Sequence, residues 1–130
     1  MKFMRWEKDG GAESTVTGLY LVEIKSLFSI VLLRFSNGSR EAYHSHAFNC
    51  ISWLLSGSLT EYHYNGRANR LPEHRRRWLP FVTRRSTFHK VKSTGTSWVL
   101  SLRGPWLDNW REFLENEQRV RNLTHGRIEI

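Results

Sequence analysis

At 130 residues, 39% of them hydrophobic and 25% charged, the chain is sized for one globular domain around a single core, which argues against a two-domain organisation. One cysteine, Cys50, excludes an intrachain disulfide and a zinc site built from several thiolates. The net charge of +8 favours contact with nucleic acid or other polyanions and says nothing about fold.

Residues 1–18 mix charge with Gly10, Gly11, Ser14 and Thr15, and Trp6 is the one large anchor. They read as an N-terminal arm with one short strand. Their opening soon turns acidic and lacks the apolar region of a signal peptide. Residues 19–24 and 27–35 are dense in branched and aromatic side chains and predict two strands, closed by the turn signal Ser36-Asn37-Gly38-Ser39. The second run is broken by Ser29 and Arg34 and is far too short to span a membrane, so a cytoplasmic protein is expected.

Residues 43–48 and 51–55 predict the next pair of strand segments, followed by the turn Ser56-Gly57-Ser58 and a strand over 59–64. Asn65-Gly66 is a hairpin signal, because both residues tolerate positive φ. The polar, basic stretch 67–77 contains Pro72 and reads as a surface loop. Residues 78–82, 87–92 and 98–102 predict three more short strands. Short strands with a turn signal about every 8 to 12 residues indicate an all-β sandwich or barrel. After Gly104-Pro105, the positions of Trp106, Leu107, Trp110, Phe113 and Leu114 predict an amphipathic C-terminal α-helix reaching about residue 121, with an extended tail.

His44 and His46 alternate on an expected strand, so both imidazoles would share one face and could hold one metal ion. His89, 45 residues after His44, lies in the similar context Thr87-Phe88-His89-Lys90-Val91 and is the candidate third ligand. Three neutral imidazoles at about 2.0 to 2.2 Å would leave positions open for water or substrate. The bland reading keeps His44 and His46 as a solvated or hydrogen-bonded pair, and an isolated Cys50 as a small buried hydrophobe. His63, His74 and His125 have no partner spacing. No nucleophile elbow, Walker loop or dinucleotide fingerprint is present.

These residues resemble the cupin superfamily, whose first motif runs Gly, five residues, His-x-His, three or four residues, Glu, six residues, Gly. Here Gly38, His44-Ser45-His46, Cys50 and Gly57 keep that spacing, with Cys50 at the glutamate position. Of the second motif, the stretch Arg84-Arg85-Ser86-Thr87-Phe88-His89 keeps the histidine alone. A closer likeness is to uncharacterised phage and bacterial cupin-like proteins. It is carried by Ser52-Trp53-Leu54-Leu55-Ser56-Gly57, Thr60-Glu61, Arg75-Arg76-Arg77, Phe88-His89 and Trp98-Val99-Leu100-Ser101-Leu102-Arg103-Gly104-Pro105.

The resemblance implies a cupin-type double-stranded β-helix, or jelly-roll barrel, over residues 19–105, with residues 106–130 packed on the barrel or on a second subunit of a homodimer. It also implies a divalent metal on His44, His46 and His89. Iron(II) is favoured over zinc, nickel or manganese, as in the thiol dioxygenase branch, and a degenerate site would hold no metal. Cys50, Glu61, Tyr62, Arg77 and Trp98 are candidates to line the cavity around a small-molecule ligand. Arg75, Arg76, Arg77, Arg84 and Arg85 are candidates for a polyanion surface.

Two readings of function follow. One is a mononuclear iron(II)-dependent oxygenase acting on a small polar or anionic substrate in the cytoplasm, or the host cytoplasm if the chain is phage-encoded. The other is a non-catalytic cupin module that uses its basic surface or its cavity to bind nucleic acid, a nucleotide or an acidic partner protein.

Overall fold

The computed structural model describes residues 1–9, 16–39, 43–63, 72–85, 89–106, 109–114, 119–124 and 128–129, with backbone alone for Ser39, Tyr43, His44 and everything after Trp106. Among them the chain forms β1 (Lys2–Lys8), β2 (Val16–Ile24), β3 (Phe28–Phe35), β4 (Gly38–Ser39), β5 (Tyr43–His44), β6 (Cys50–Ser56) and β7 (Leu59–His63). There follow β8 (Glu73–His74), β9 (Pro80–Thr83), β10 (His89–Ser93), β11 (Ser97–Arg103), β12 (Asn109–Leu114), β13 (Arg119–Thr124) and β14 (Ile128–Glu129). One sheet of six strands has the order β1-β2-β3-β11-β6-β9. The other, of eight, runs β14-β13-β12-β5-β10-β7-β8 with β4 added on β10. This is the all-β, two-sheet jelly-roll barrel that the sequence leads one to expect. No helix among the described residues is long and apolar enough to cross a membrane.

The inward face of the six-stranded sheet changes character from one cross-strand row to the next. Gly18, Leu33, Val99 and Leu54 stand side by side on four strands and form an apolar row. The next row, Tyr20, Val31, Ser101, Ser52 and Phe81, is mixed. The third, Glu23, Ser29, Arg103, Cys50 and Thr83, is polar and buried throughout. Leu59 from the opposite sheet joins Tyr20, Val31, Leu33, Leu54 and Val99 in the main core, with Phe35, Phe81 and Val91 packed against it. One end of the barrel is thus plugged with hydrocarbon and the other is walled with polar groups.

The C-terminal segment departs from its predicted form. In place of a helix, Asn109–Leu114 and Arg119–Thr124 are antiparallel strands with Phe113 opposite Val120 and Trp110 opposite Leu123. β12 also pairs with the two-residue β5, Glu112 opposite His44 and Phe113 opposite Tyr43. The free edge of β5 offers backbone partners that a helix would leave unmatched, and such tertiary pairing overrides a short apolar periodicity. Likewise the strand expected over 43–48 is only Tyr43–His44, so His46 lies beyond its end. The hairpin expected at Asn65-Gly66 lies outside the described residues.

The turn between β6 and β7 requires glycine twice over. Gly57 has φ +92°, and a Cβ there would fall on Ser97, whose Cα would lie at 2.6 Å, and on the carbonyl oxygen of Thr96 at 2.6 Å. Gly95 has φ +71° with open space around it. Gly57→Ala is therefore expected to cost about 3 kcal/mol or more, against about 1 kcal/mol for Gly95→Ala. Urea unfolding of the two variants measures the difference.

Candidate functional site

Alternation along β10 turns His89 and Ser93 inward, and the same alternation on β7 turns Leu59, Glu61 and His63 inward. The antiparallel register sets His89 opposite His63 on β7 and opposite His44 on β5. Three histidines thus occupy one row across three neighbouring strands. The side chain of His44 lies outside the described residues. His46, two positions on, reaches back so that its Nε2 lies 2.9 Å from Nε2 of His89.

The other ring nitrogen of His89, Nδ1, is 2.6 Å from Oε1 of Glu61, and both side chains are buried. Glu61 is in turn held by Arg75, whose Nε and terminal nitrogen both donate to Oε2 at 2.9 and 2.6 Å. The remaining nitrogen of Arg75 is 3.3 Å from Glu73, and its guanidinium lies 4.6 Å above the Phe81 ring. Burial pushes the Glu61 carboxyl up. The hydrogen bond from His89 and the charges of His89 and Arg75 outweigh that and bring it down to about 2. An ionised Glu61 accepts the Nδ1 proton of His89, an arrangement that in the neutral imidazole a metal requires would turn the lone pair of Nε2 toward His46. A carboxylate that fixes the tautomer of a histidine in this way is the usual support of a metal-ligating imidazole.

His63 was not singled out by spacing, yet it belongs to this cluster. Its Nε2 is buried without a hydrogen-bond partner among the described residues, 3.6 Å from Glu61 and 4.0 Å from Glu73. Its ring centroid is 6.4 Å from that of His89. The signal was present in the sequence: Glu61-Tyr62-His63 alternates on a strand in the same way as His44-Ser45-His46.

A second polar group approaches from the other sheet. The His46 ring stacks on Phe48 at 5.0 Å, and the buried Arg103 guanidinium lies 4.6 Å from the Phe48 ring centre. Arg103 donates to both carboxylate oxygens of Asp9, at 3.3 and 2.9 Å, and the Tyr20 hydroxyl donates to Asp9 at 2.8 Å. Burial, then the charge of Asp9, raises the Tyr20 hydroxyl far above its ordinary value. Burial works against the Arg103 cation, but Asp9 more than compensates and its pKa rises.

The remaining candidates separate by location. Cys50 is buried on β6, opposite Arg103 and Thr83, with the Ser52 hydroxyl 3.9 Å from its sulfur. Among the described residues no three His, Cys, Asp or Glu side chains are placed to hold one metal ion, so Cys50 does not complete a set with His46 and His89. Tyr62 and Trp98 alternate with inward residues and lie on the outer faces, Tyr62 beneath Lys90 and Trp98 edge-on to Trp6 at 6.3 Å. Arg75 is spent on Glu61. Arg76, Arg77, Arg84 and Arg85 are exposed, with Nε of Arg77 3.3 Å from the Gly57 carbonyl oxygen.

Because the folded-state pKa of Glu61 is depressed, its ionisation stabilises the fold fully above about pH 4.5, and that stability is lost as the pH falls through about 2. The loss expected from this one group is about 3 kcal/mol. Urea unfolding across that range should show it, and Glu61→Gln should flatten the same part of the profile.

No protein-family model matches the chain, and no curated protein matches it either. Solved structures do. The polyketide cyclase RemF of Streptomyces resistomycificus superposes with a TM-score of 0.70 at 16% identity, over 88% of this chain and 83% of that one. A sugar phosphate isomerase of the cupin superfamily from Silicibacter pomeroyi gives 0.59 at 10%, over 86% and 73%. A cupin-2 domain protein of Rhodospirillum rubrum gives 0.62 at 10%, over 85% and 73%. At such identities the likeness establishes architecture and not chemistry. The chain has the cupin fold, with its histidine cluster in the polar half of the barrel.

Proposed function

We propose that this chain is a metal-binding cupin, in its most specific form a mononuclear iron(II)-dependent oxygenase acting on a small polar or anionic substrate. The observation that carries this is the convergence of two imidazole nitrogens at 2.9 Å, one of them tied from behind by a buried carboxylate. The donor set suits a divalent transition metal: His46 and His89 would hold it, with His44 as the third ligand from its place in the same strand row. Such an ion, when bound, would supply Lewis acidity and, as iron(II), redox chemistry with dioxygen.

The chain's own residues perform the remaining tasks. Glu61 keeps the proton on Nδ1 of His89, and Arg75 keeps Glu61 ionised. With Glu61 serving as acceptor to His89 and Cys50 a thiol in the opposite sheet, the three imidazoles bring no negative charge, which favours a substrate that supplies an anionic donor of its own. Two of the neighbours named above are an isomerase and a cyclase, so the barrel itself selects no reaction.

Metal analysis of the purified chain tests this reading. About one divalent ion per chain is expected, with loss in His46→Ala and in His89→Ala, and affinity lowered about 10- to 100-fold in Glu61→Gln. Full metal content in both histidine variants would sink it.

One observation favours the non-catalytic reading as well. Trp78 is 68% exposed at φ +63°, beside the exposed Arg76 and Arg77 and near in sequence to Arg84 and Arg85. An exposed aromatic ring among cations suits stacking on the bases of a single-stranded nucleic acid. Binding to a single-stranded oligonucleotide should then weaken steeply with salt and fall in Trp78→Ala and in Arg76→Glu, neither of which touches Glu61. A titration that salt leaves unchanged would count against it.

A further inference from the structure

The two imidazoles that meet at Nε2 are supported in different ways. His89 stands on β10 and is tied by Glu61 from behind, whereas His46 lies past the end of β5, in the irregular residues 45–49 that lead into β6, and is half-buried. Its ring packs on that of Phe48, with centroids 5.0 Å apart and planes 28° from parallel. Phe48 is 4% exposed and does not stand alone. The Trp106 ring is tilted against it at 5.0 Å, and the Arg103 guanidinium lies 4.6 Å from its centre. Both of these are anchored in turn. Trp106 donates its backbone N–H to the Lys25 carbonyl oxygen at 2.8 Å and carries the Lys25 ammonium 4.8 Å over its ring, while Arg103 is held by both carboxylate oxygens of Asp9. Ala47 and Cys50 complete the buried cluster around Phe48.

The torsion that turns a histidine ring about its Cβ–Cγ bond is broad, so a backbone position alone leaves the plane of the imidazole undefined. Something must fix that plane. The hydrogen bond between the two Nε2 atoms, 2.9 Å long, cannot do so when both lone pairs are turned to a metal ion, because a ligating nitrogen carries no proton and accepts none. The stack on Phe48 uses the ring face and not the lone pair. It is therefore the contact that can aim His46 with or without an ion, as Glu61 does for His89. We propose, resting on the reading of His46 and His89 as metal ligands, that Phe48 is a positioning residue whose ring, wedged by Trp106 and Arg103, sets the plane in which His46 presents Nε2.

An aliphatic side chain at position 48 would fill much of the same space, but it has no flat face to match the imidazole. The wedge also explains why a buried cation and a tryptophan converge on one phenyl ring. Through Arg103 the support reaches Asp9 at the end of β1, and through Trp106 it reaches Lys25 in the turn between β2 and β3. Two segments far from His46 in sequence thus bear on one imidazole.

Nuclear magnetic resonance of the histidine rings in the chelator-treated full chain tests this, with the His46 signals assigned by their loss in His46→Ala. The ring current of Phe48 should displace the His46 ring protons from the free-imidazole range. Phe48→Leu should abolish the displacement and Phe48→Tyr, which keeps the ring, should retain it. Competition with a chelator for cobalt(II) is the second readout, and affinity should fall about 10-fold or more in Phe48→Leu but hold in Phe48→Tyr. Val99→Ala, in the apolar plug, should lower the unfolding midpoint and move neither readout. Wild-type His46 signals in the free-imidazole range, signals that Phe48→Leu leaves in place, or a folded Phe48→Leu chain that binds cobalt as tightly as wild type would each overturn it. A wild-type chain that binds no cobalt while its His46 signals follow Phe48 would sink the metal assignment and leave the positioning stack established.

Discussion

The buried carboxylate of Glu61 is the constraint on which the inside of the barrel depends. A carboxylate 2% exposed has lost nearly all its water, and it stays ionised because two donors from Arg75 and one from His89 replace that water. The three partners come from three places in the chain: a strand residue of β7, a strand residue of β10, and an arginine just after β8. The pairing therefore ties together the three strands at one edge of the eight-stranded sheet while orienting the imidazole that faces His46. Removing Arg75 would leave the buried carboxylate without a cation, whereas removing His89 leaves the Arg75 fork in place.

The barrel is built with two unlike halves, and the rows of the six-stranded sheet explain how. Moving along β11 by two residues at a time replaces Val99 with Ser101 and then with Arg103. Corresponding steps on β6 replace Leu54 with Ser52 and then Cys50. β11 and β6 turn polar at Ser101 and Ser52, and β3 one row later at Ser29, so the hydrocarbon plug and the polar chamber meet across the mixed row. The plug supplies the burial that stabilises a chain of this size, and the chamber is free to hold polar groups that a uniform apolar core would exclude.

Much of this arrangement was legible in the sequence, and the parts that were not share a cause. The strands β2, β3, β6, β7, β10 and β11 announce themselves by alternation and by turns such as Asn37-Gly38, Ser56-Gly57 and Thr94-Gly95. What local pattern could not supply was pairing at a distance. The apolar stripe from Trp106 reads as a helix until β5 provides an open edge for β12. Arg75 reads as one more surface cation until the register brings Glu61 within 2.6 Å. Tyr62 and Trp98 read as cavity walls because aromatics usually fill β interiors, whereas alternation with Glu61 and Val99 turns them outward. Apolar residues on the outer face of the six-stranded sheet are the extreme case. Leu19, Leu32 and Leu100 look like core residues one strand at a time, and only their register shows that they lie together on the outside.

Cys50 can now be placed in physical terms. It occupies the position where the cupin first motif has a glutamate, and its backbone partner across β11 is Arg103. Arg103 is buried and already neutralised by Asp9, which reaches it from the end of β1 and is itself held by Tyr20. A carboxylate at position 50 would put a second anion beside one cation at a buried position, and one of the two acids would have to give up its charge or its place. A thiol avoids that conflict, since it is small and neutral and tolerates burial. The polar wall of the chamber and the absence of a negative residue among the candidate ligands are then two consequences of one charge balance, in which Asp9 takes the role opposite Arg103 that an acid on β6 would otherwise contest.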